Sequence, residues 1–468
     1  MGDSADIGIY GLGVMGRNLA LNFADRGFAV SLFDPWAEAR AAARAVAHAR
    51  VVIHDSADAF AASLARPRHV LLMVKAGGPV DAAVAALKPA LQPGDALFDG
   101  GNSHFADTQR RQKALAEQAV DFLGIGISGG EDGARHGPSL MIGGAAQAYE
   151  RSAPLFHAIA ARYETEPCCA WFGEDGAGHF VKMVHNGIEY AEMQILAEAY
   201  ALMQIVGGID NGAMQAVFRA WSAGEAQSFL TEITAAILGR VDPETGHPLV
   251  DLVLDEAEQK GTGQWAAESA LALGVPAPTL SAAVTARALS ALLEERRQAA
   301  GMLAGPSAAR VQGSGFVERL GKAVLGAKIG AFAQGFALLA AGAREHGWAM
   351  NLARVAEVWR AGCIIRGRLL APIASALHAD PALPNLLVAG HFRDTLAASH
   401  ADWRLIVGMG ASAGVPLPAL GSALAYYDAY RSARLPANLI QSQRDYFGAH
   451  GYRRTDRDGV FHTDWTKP

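Results

Sequence analysis

The sequence predicts an α/β domain built on a doubly wound, mostly parallel sheet, then a large all-α domain, then a short C-terminal tail. Three observations lead there. The chain opens on a strand, a glycine loop, a helix and a second strand. Near Gly178 this alternation gives way to long Ala/Leu-rich helices, including roughly 178 to 206 and 315 to 345. After Pro436 comes a stretch too short for a domain yet too aromatic for a disordered end, which is expected to pack on something else. The expected divisions are 1–177, 178–434 and 435–468.

Ile7-Gly8-Ile9-Tyr10 reads as the first strand and Gly11-Leu12-Gly13-Val14-Met15-Gly16 as the loop. An apolar-periodic run to Arg26 reads as a helix, and Phe28 to Phe33 as the second strand, ending at Asp34. Glycines let backbone approach a pyrophosphate, and the following helix N-terminus supplies unpaired N–H groups and the positive end of a dipole. A lone G-x-G-x-x-G is common. Between two strands, with an acidic residue eighteen positions after Gly16, it specifies a Rossmann-type dinucleotide-binding unit.

Further strands are expected at His69 to Val74, Ala96 to Asp99 and Phe122 to Ile127, with helices at Pro79 to Leu91 and Asp107 to Gln118. Ligands of such sheets sit beyond the strand carboxyl ends. Those positions hold Lys75-Ala76-Gly77, Gly100-Gly101-Asn102-Ser103 and Ser128-Gly129-Gly130-Glu131. Each alone reads equally well as turn chemistry. Three at one crevice read as backbone amides and small polar groups turned toward an anion.

The helical part begins with the stretch that organises the chain, Gly178 to Tyr190. From Lys182, the polar residues His185, Asn186, Glu189 and Tyr190 fall at +3, +4, +7 and +8, one face of a helix. Phe180, Val181, Met183, Val184, Ile188 and Ala191 make the other faces apolar, so the polar stripe is expected to line a pocket. Lys182 and Glu189 should lie about 10 Å apart along the axis, too far to pair simply and well spaced to serve two atoms of one ligand. Gln259-Lys260-Gly261-Thr262-Gly263 and Ala286-Arg287-Ala288 add two cations and a hydroxyl, a set suited to a phosphate, although each cation taken singly reads better as a surface Lys or Arg.

Composition excludes other classes. The 468 residues would fill about three domains. With 51% hydrophobic and 18% charged residues the chain is globular. A formal charge of −6 and the lack of a basic run interleaved with aromatics argue against nucleic acid. Cys168, Cys169 and Cys363 show neither disulfide nor metal-type spacing, so no metal is expected and a reducing cytoplasm fits best. The N-terminus lacks the regions of a signal peptide, and the longest uncharged run, Leu405 to Tyr427, is broken by Pro416 and Pro418, so no membrane span is expected.

These motifs together resemble the long-chain form of the decarboxylating 6-phosphogluconate dehydrogenases of the pentose phosphate pathway. The resemblance spans nearly the whole chain: the glycine loop, Asp99 to Ser103, Ser128-Gly129-Gly130 with Gly137-Pro138-Ser139-Leu140-Met141, the Lys182 to Tyr190 helix, Lys260 to Gly263, and Arg444-Asp445-Tyr446-Phe447-Gly448-Ala449-His450. It implies oxidation of 6-phosphogluconate at C3 and loss of carbon dioxide. Lys182 would be the general base, and Glu189 would later protonate C1. Cofactor contacts are implied for Gly11, Leu12, Gly13, Val14, Met15, Gly16, Asp34, Pro35, Trp36, Val74, Lys75, Ala76 and Asn102. Substrate carboxylate and hydroxyl contacts are implied for Asn102, Ser128, Gly129, Gly130, His185 and Asn186. The phosphate would meet Tyr190, Lys260, Thr262, Arg287 and, from the tail, Arg444 with His450 nearby. The tail would insert into the partner of a homodimer, so that active sites are shared between chains. Where NADP-using members carry an Asn-Arg-Thr type triplet, this chain has Asp34-Pro35-Trp36. NAD is therefore expected over NADP, with Arg40 and Arg44 leaving NADP open. Rival readings are a β-hydroxyacid dehydrogenase that does not decarboxylate, against which the cations Lys260, Arg287 and Arg444 count, and a cofactor-sensing protein without turnover, which would not require both Lys182 and Glu189.

Overall fold

The computed structural model describes residues 4–45, 48–258, 261–306 and 315–467. The chain divides into two compact units, Met1–Leu424 and Ala425–Pro468.

The first unit opens with β1 (Ile7–Tyr10), α1 (Val14–Asp25), β2 (Val30–Phe33), α2 (Ala37–Arg44), β3 (Val51–Ile53), α3 (Ala57–Ala62) and β4 (His69–Leu72). It continues through α4 (Gly78–Leu87), β5 (Ala96–Asp99), α5 (Phe105–Ala116), β6 (Asp121–Ser128), α6 (Gly130–His136), β7 (Ser139–Gly143) and α7 (Ala146–Ile159). A small hairpin of β8 (Arg162–Tyr163) and β9 (Glu166–Pro167) precedes β10 (Cys169–Trp171). The main sheet has eight strands in the order β10-β7-β6-β5-β4-β1-β2-β3. All neighbours are parallel except β6 and β7.

Strand alternation sends successive side chains to opposite faces, and each face is covered. Ile7, Ile9, Phe98, Leu123 and Ile125 pack in one core with residues of α1 and α7, whereas Tyr10, Val70, Leu72, Leu97 and Phe122 belong to a second core with residues of α3, α4 and α5. The order reverses between β1 and β4, which makes the crevice beyond their carboxyl ends the switch point where ligands of such sheets sit.

The second strand is shorter than expected by its first two residues and β4 by its last two, although Met73 N still donates to Tyr10 O in line with the β1–β4 ladder. The strands β3, β7 and β10 were not predicted. β3 has three residues and β10 three, too short for a period to show. Ser139–Gly143 is a fully buried apolar run, which by pattern alone could belong to a helix or a strand.

The helical part runs through α8 (Ala177–Ile205), α9 (Asn211–Ala223), α10 (Phe229–Leu238), α11 (Thr262–Ala272), α12 (Pro278–Ser290), α13 (Leu293–Ala300) and α14 (Phe316–His346). Then come α15 (Leu352–Val358), α16 (Leu370–Ala379), α17 (Gly390–Ala413) and α18 (Pro418–Tyr430), and the tail carries α19 (Ala437–Gly448). Helix α14 is long and apolar enough to cross a membrane, yet 89% of its most apolar window is buried inside the protein. It packs against α8 and α17 and serves as a core helix.

Glycines set α8 directly on the sheet. A Cβ at Gly178 would come within 2.5 Å of Gly124 O, Gly143 N and Met141 O. The start of α8 therefore lies on the backbone of β6 and β7, which brings its polar stripe to the end of β6. Buried polar groups lock this seating: His179 bonds Thr108 Oγ1 at 2.6 Å and Asp99 O at 3.1 Å.

The Ala425–Pro468 unit is organised by a buried carboxylate. Asp445 accepts from Gly451 N, Thr463 N, His462 Nδ1 and Trp465 Nε1 at 2.8 to 3.1 Å. Burial pushes its pKa up, but these four donors prevail and hold it well below the usual carboxylate range.

Candidate active site

The first part of the site is the crevice at the switch point, about 780 Å³ and lined by Gly13, Val14, Met15, Gly16, Met73, Val74, Lys75, Ala76, Gly100, Gly101, Asn102, Ile127 and Trp265. Gly11 has φ +105°, and a Cβ there would lie 2.6 Å from Met73 O. At Gly16 a Cβ would meet Gly11 O at 2.0 Å, so the turn into α1 closes only with glycine. Gly13 precedes α1 with no side-chain cap, leaving first-turn N–H groups free for an anion.

Asp34 has a local task as well as an expected ligand. It is buried, and its Oδ2 accepts from Leu12 N at 2.7 Å and its Oδ1 from Trp36 N at 2.9 Å. The carboxylate thus ties the glycine loop to the end of β2, with a second lone pair free on each oxygen. Pro35 and Trp36 follow at the rim, and Trp36 is 71% exposed. Arg40 donates to Asp34 O at 2.7 Å and lies 3.4 Å from Asp55, which also takes Arg44 at 2.6 Å.

The second part is the stripe on α8. Lys182, His185, Asn186 and Tyr190 are buried, and Glu189 keeps about a fifth of its side chain exposed. His185 is the hub: Nδ1 lies 3.4 Å from Lys182 Nζ, 3.1 Å from Asn186 Oδ1 and 3.6 Å from Glu189 Oε2, while Nε2 lies 3.2 Å from Ser128 Oγ. The seven-residue gap between Lys182 and Glu189 is thus spanned by His185, and among the described residues the two form no direct ion pair with each other.

Burial drives the protonation of this group. It lowers the Lys182 pKa against the opposing pull of Glu189 and Cys363, and it raises that of Glu189 although Lys182 and Arg287 oppose it. His185 is pushed well below its usual value by burial and then by Lys182. A lysine moved toward the neutral amine and a glutamate moved toward the neutral acid form a base and an acid in one pocket.

Ser128 is buried at the end of β6, and Gly129 (φ +125°) and Gly130 (φ +62°) turn the chain into α6. A Cβ at Gly129 would lie 2.6 Å from Gly362 O, so this turn is pressed against the segment after α15. Asn102 lines the cofactor crevice on a turn stapled by Asp99, which accepts from Ser103 Oγ at 2.7 Å and Gly101 N at 3.1 Å.

Of the expected phosphate contacts, three come together. The Arg287 guanidinium lies 3.4 Å over the Tyr190 ring, and α11 begins at buried Thr262. Next to it, a Cβ at Gly263 would strike the Tyr190 ring at 2.5 Å. Lys260 lies outside the described residues. Arg444 and His450 are exposed in the Ala425–Pro468 unit, where Arg444 donates to Gln441 Oε1 at 3.3 Å and His450 stacks edge-on to Phe447. Among the described residues no group of His, Cys, Asp and Glu could hold a metal ion.

Sequence reasoning missed Trp265. It reaches the cofactor crevice from α11 and meets His104 at 5.1 Å, edge to face. The signal was present, since Trp265 stands one helical turn after Thr262. It also missed the buried pair of Glu192 with Lys328, 2.8 Å apart, which joins α8 to α14 one turn beyond Glu189.

A dinucleotide crevice at the switch point, next along β6 to a helix that carries a buried lysine and glutamate, defines an NAD(P)-dependent dehydrogenase. Residues 6–173 match the NAD binding domain of 6-phosphogluconate dehydrogenase, and residues 178–465 match its C-terminal domain. The chain belongs to the 6-phosphogluconate dehydrogenase family. It is 47% identical over 464 residues to the NADP(+)-dependent, decarboxylating 6-phosphogluconate dehydrogenase of Bacillus subtilis (strain 168), covering 98% of this chain and 99% of the relative. It is 45% identical over 465 residues to the NAD(+)-dependent decarboxylating enzyme of the same organism, with the same coverage. The solved structure of Plasmodium falciparum 6-phosphogluconate dehydrogenase, studied as apo form and with NADP+ or 6-phosphogluconate, superposes with a TM-score of 0.93 at 38% identity, covering 98% of this chain and 100% of that one.

Proposed function

We propose that this chain converts 6-phospho-D-gluconate to D-ribulose 5-phosphate and carbon dioxide, reducing a nicotinamide cofactor. The observation that carries the reading is the α8 stripe, where burial drives Lys182 and Glu189 toward their neutral forms around His185. The cofactor residues are Gly11 to Gly16, Asp34 to Trp36, Val74 to Ala76 and Asn102. When bound there, the nicotinamide supplies a hydride acceptor.

Lys182, as the neutral amine, takes the proton of the C3 hydroxyl as that carbon is oxidised. The resulting ketone draws in the electrons of the breaking C1–C2 bond, carbon dioxide leaves, and the Lys182 ammonium returns its proton to the forming enediol oxygen. Glu189, held as the neutral acid, then gives a proton to C1 of the five-carbon product while the enediol proton returns to Lys182. If His185 carries its proton on Nδ1, it donates to Asn186 Oδ1 and accepts the Ser128 hydroxyl at Nε2, an arrangement that disfavours an ammonium on Lys182. Ser128, Gly129, Gly130, Asn102, His185 and Asn186 hold the carboxylate and hydroxyls, and Tyr190, Lys260, Thr262 and Arg287 hold the phosphate.

The tail of a second copy supplies Arg444 and His450, so each site of a homodimer is shared between chains. Exposed Leu439, Ile440, Tyr446 and Phe447 on α19 support this, since they need an apolar surface to cover them. On this reading 1–177 binds cofactor, 178–434 binds substrate and dimerises, and 435–468 reaches the partner, in the cytoplasm. NAD is preferred over NADP. Asp34 offers lone pairs to ribose hydroxyls and a like charge to a 2′-phosphate, and Arg40 and Arg44 are already engaged by Asp55.

The test is to supply 6-phosphogluconate and either cofactor and to measure carbon dioxide and reduced cofactor together. Equal amounts of both are expected. Reduced cofactor without carbon dioxide would identify a non-decarboxylating dehydrogenase, and neither product would identify a binding protein.

A further inference from the structure

A second cavity, about 290 Å³, opens outside the candidate active site, lined by Tyr163, Gln227, Arg360, Arg366, Gly367 and Arg368 among others. None of these is an expected cofactor or substrate contact. Three arginines line one concavity, and among the described residues none of the three forms an ion pair. Two acids near them in the chain are engaged elsewhere. Glu357, three residues before Arg360, holds Arg354 at 3.0 Å and His378 at 2.8 Å. Glu232 accepts from the Gln227 side chain at 2.8 Å.

Two of the arginines are held in place by contacts that leave their charge unneutralised. Arg360 lies 4.3 Å over the Tyr163 ring, and Arg366 lies 3.6 Å over the Phe229 ring while donating to Cys363 O at 2.7 Å. Stacking fixes the plane of a guanidinium and leaves edge N–H groups available. Arg368 is exposed, with its backbone N bonded to Gln227 O at 3.1 Å. The backbone beneath is close-set, since a Cβ at Gly367 would lie 2.8 Å from Gln227 O.

Three unneutralised cations lining one cavity repel each other, and an anion that accepts from several guanidinium forks relieves that cost. The volume lies just below the usual range of ligand pockets, roughly 300–1,000 Å³, which suits a small anion and not a dinucleotide. We infer that this cavity is a second anion site, one that takes a small phosphate monoester or diphosphate. The same segment adjoins the candidate active site, because Gly362 O accepts from Ser139 N at 2.9 Å and abuts Gly129.

The experiment is calorimetric titration of pyrophosphate into the full-length protein and into Arg368→Ala, Arg360→Ala and Arg287→Ala. Arg368→Ala removes an exposed side chain and leaves its backbone bond in place, so the fold is kept. Wild type should bind pyrophosphate at a site that survives Arg287→Ala. That site should weaken by at least about tenfold in Arg368→Ala and in Arg360→Ala, the loss expected for one charge-assisted contact. Titrations of Arg368→Ala and Arg360→Ala that superimpose on wild type would overturn the inference. So would a wild type whose pyrophosphate binding disappears entirely with Arg287→Ala.

Discussion

Adding one methyl group at Gly126 should disable the chemistry while leaving the cofactor site alone. Gly126 lies in β6 where α8 crosses, and a Cβ there would sit 2.4 Å from Lys182 Cβ, 3.0 Å from Lys182 Cγ and 3.1 Å from Gly178 O. None of these is the free end of a flexible side chain. Restoring ordinary contact, about 3.4 Å or more, therefore means moving α8 about 1 Å off the sheet. Overpacking of this kind costs about 1–3 kcal/mol of stability. A catalytic group misplaced by about 1 Å loses on the order of 10²-fold in rate. Gly126→Ala should thus fold with a lowered denaturant midpoint, bind cofactor within about twofold of wild type, and lose about 10²-fold in kcat. Gly408→Ala is the control, because a Cβ there meets nothing within 4 Å. Steady-state cofactor reduction, read beside a denaturation curve, separates the terms. Near-normal kcat in Gly126→Ala, or a loss that merely follows the unfolded fraction, would refute the claim that the sheet positions Lys182.

Other outcomes follow from the same geometry. Lys182→Ala should lose about 10²- to 10⁴-fold in kcat with substrate still bound; near-normal turnover with an unchanged pH profile would remove Lys182 as the base. Activity should fall at low pH as Lys182 takes a proton, with an acid limb below the ordinary lysine range, and at high pH as Glu189 ionises, with an alkaline limb above the ordinary glutamate range. Glu189→Gln should abolish the alkaline limb, and its survival would point to a different acid. NAD should give a higher kcat/KM than NADP, and the reverse order would overturn the role given to Asp34. In a mixed dimer of one Lys182→Ala chain and one Arg444→Ala chain, shared sites place both lesions in one site. About half the wild-type activity with a normal KM is expected then, whereas two defective sites would show that each chain completes its own.

Much of this protein was legible along the chain because its decisive signals are local. The glycine loop announces itself since only glycine tolerates φ +105° at Gly11 and the approach of Gly16 to Gly11 O. The stripe from Lys182 to Tyr190 is legible since helical periodicity alone puts those side chains on one face, and the apolar remainder implies that they are buried. The tail motif stood out, although Asp445, which organises its fold, looked no different from its charged neighbours. Tertiary structure alone decided what depends on distant segments meeting. Lys182 and Glu189 are driven toward neutrality because β6, β7, α11, α12 and α14 exclude water around α8. Trp265 joins the cofactor crevice, and Arg360, Arg366 and Arg368 share a cavity with Tyr163 across about two hundred residues of chain, only because of how the helices pack. Periodicity reports which face a residue occupies, whereas desolvation and charge pairing depend on what the fold brings against that face.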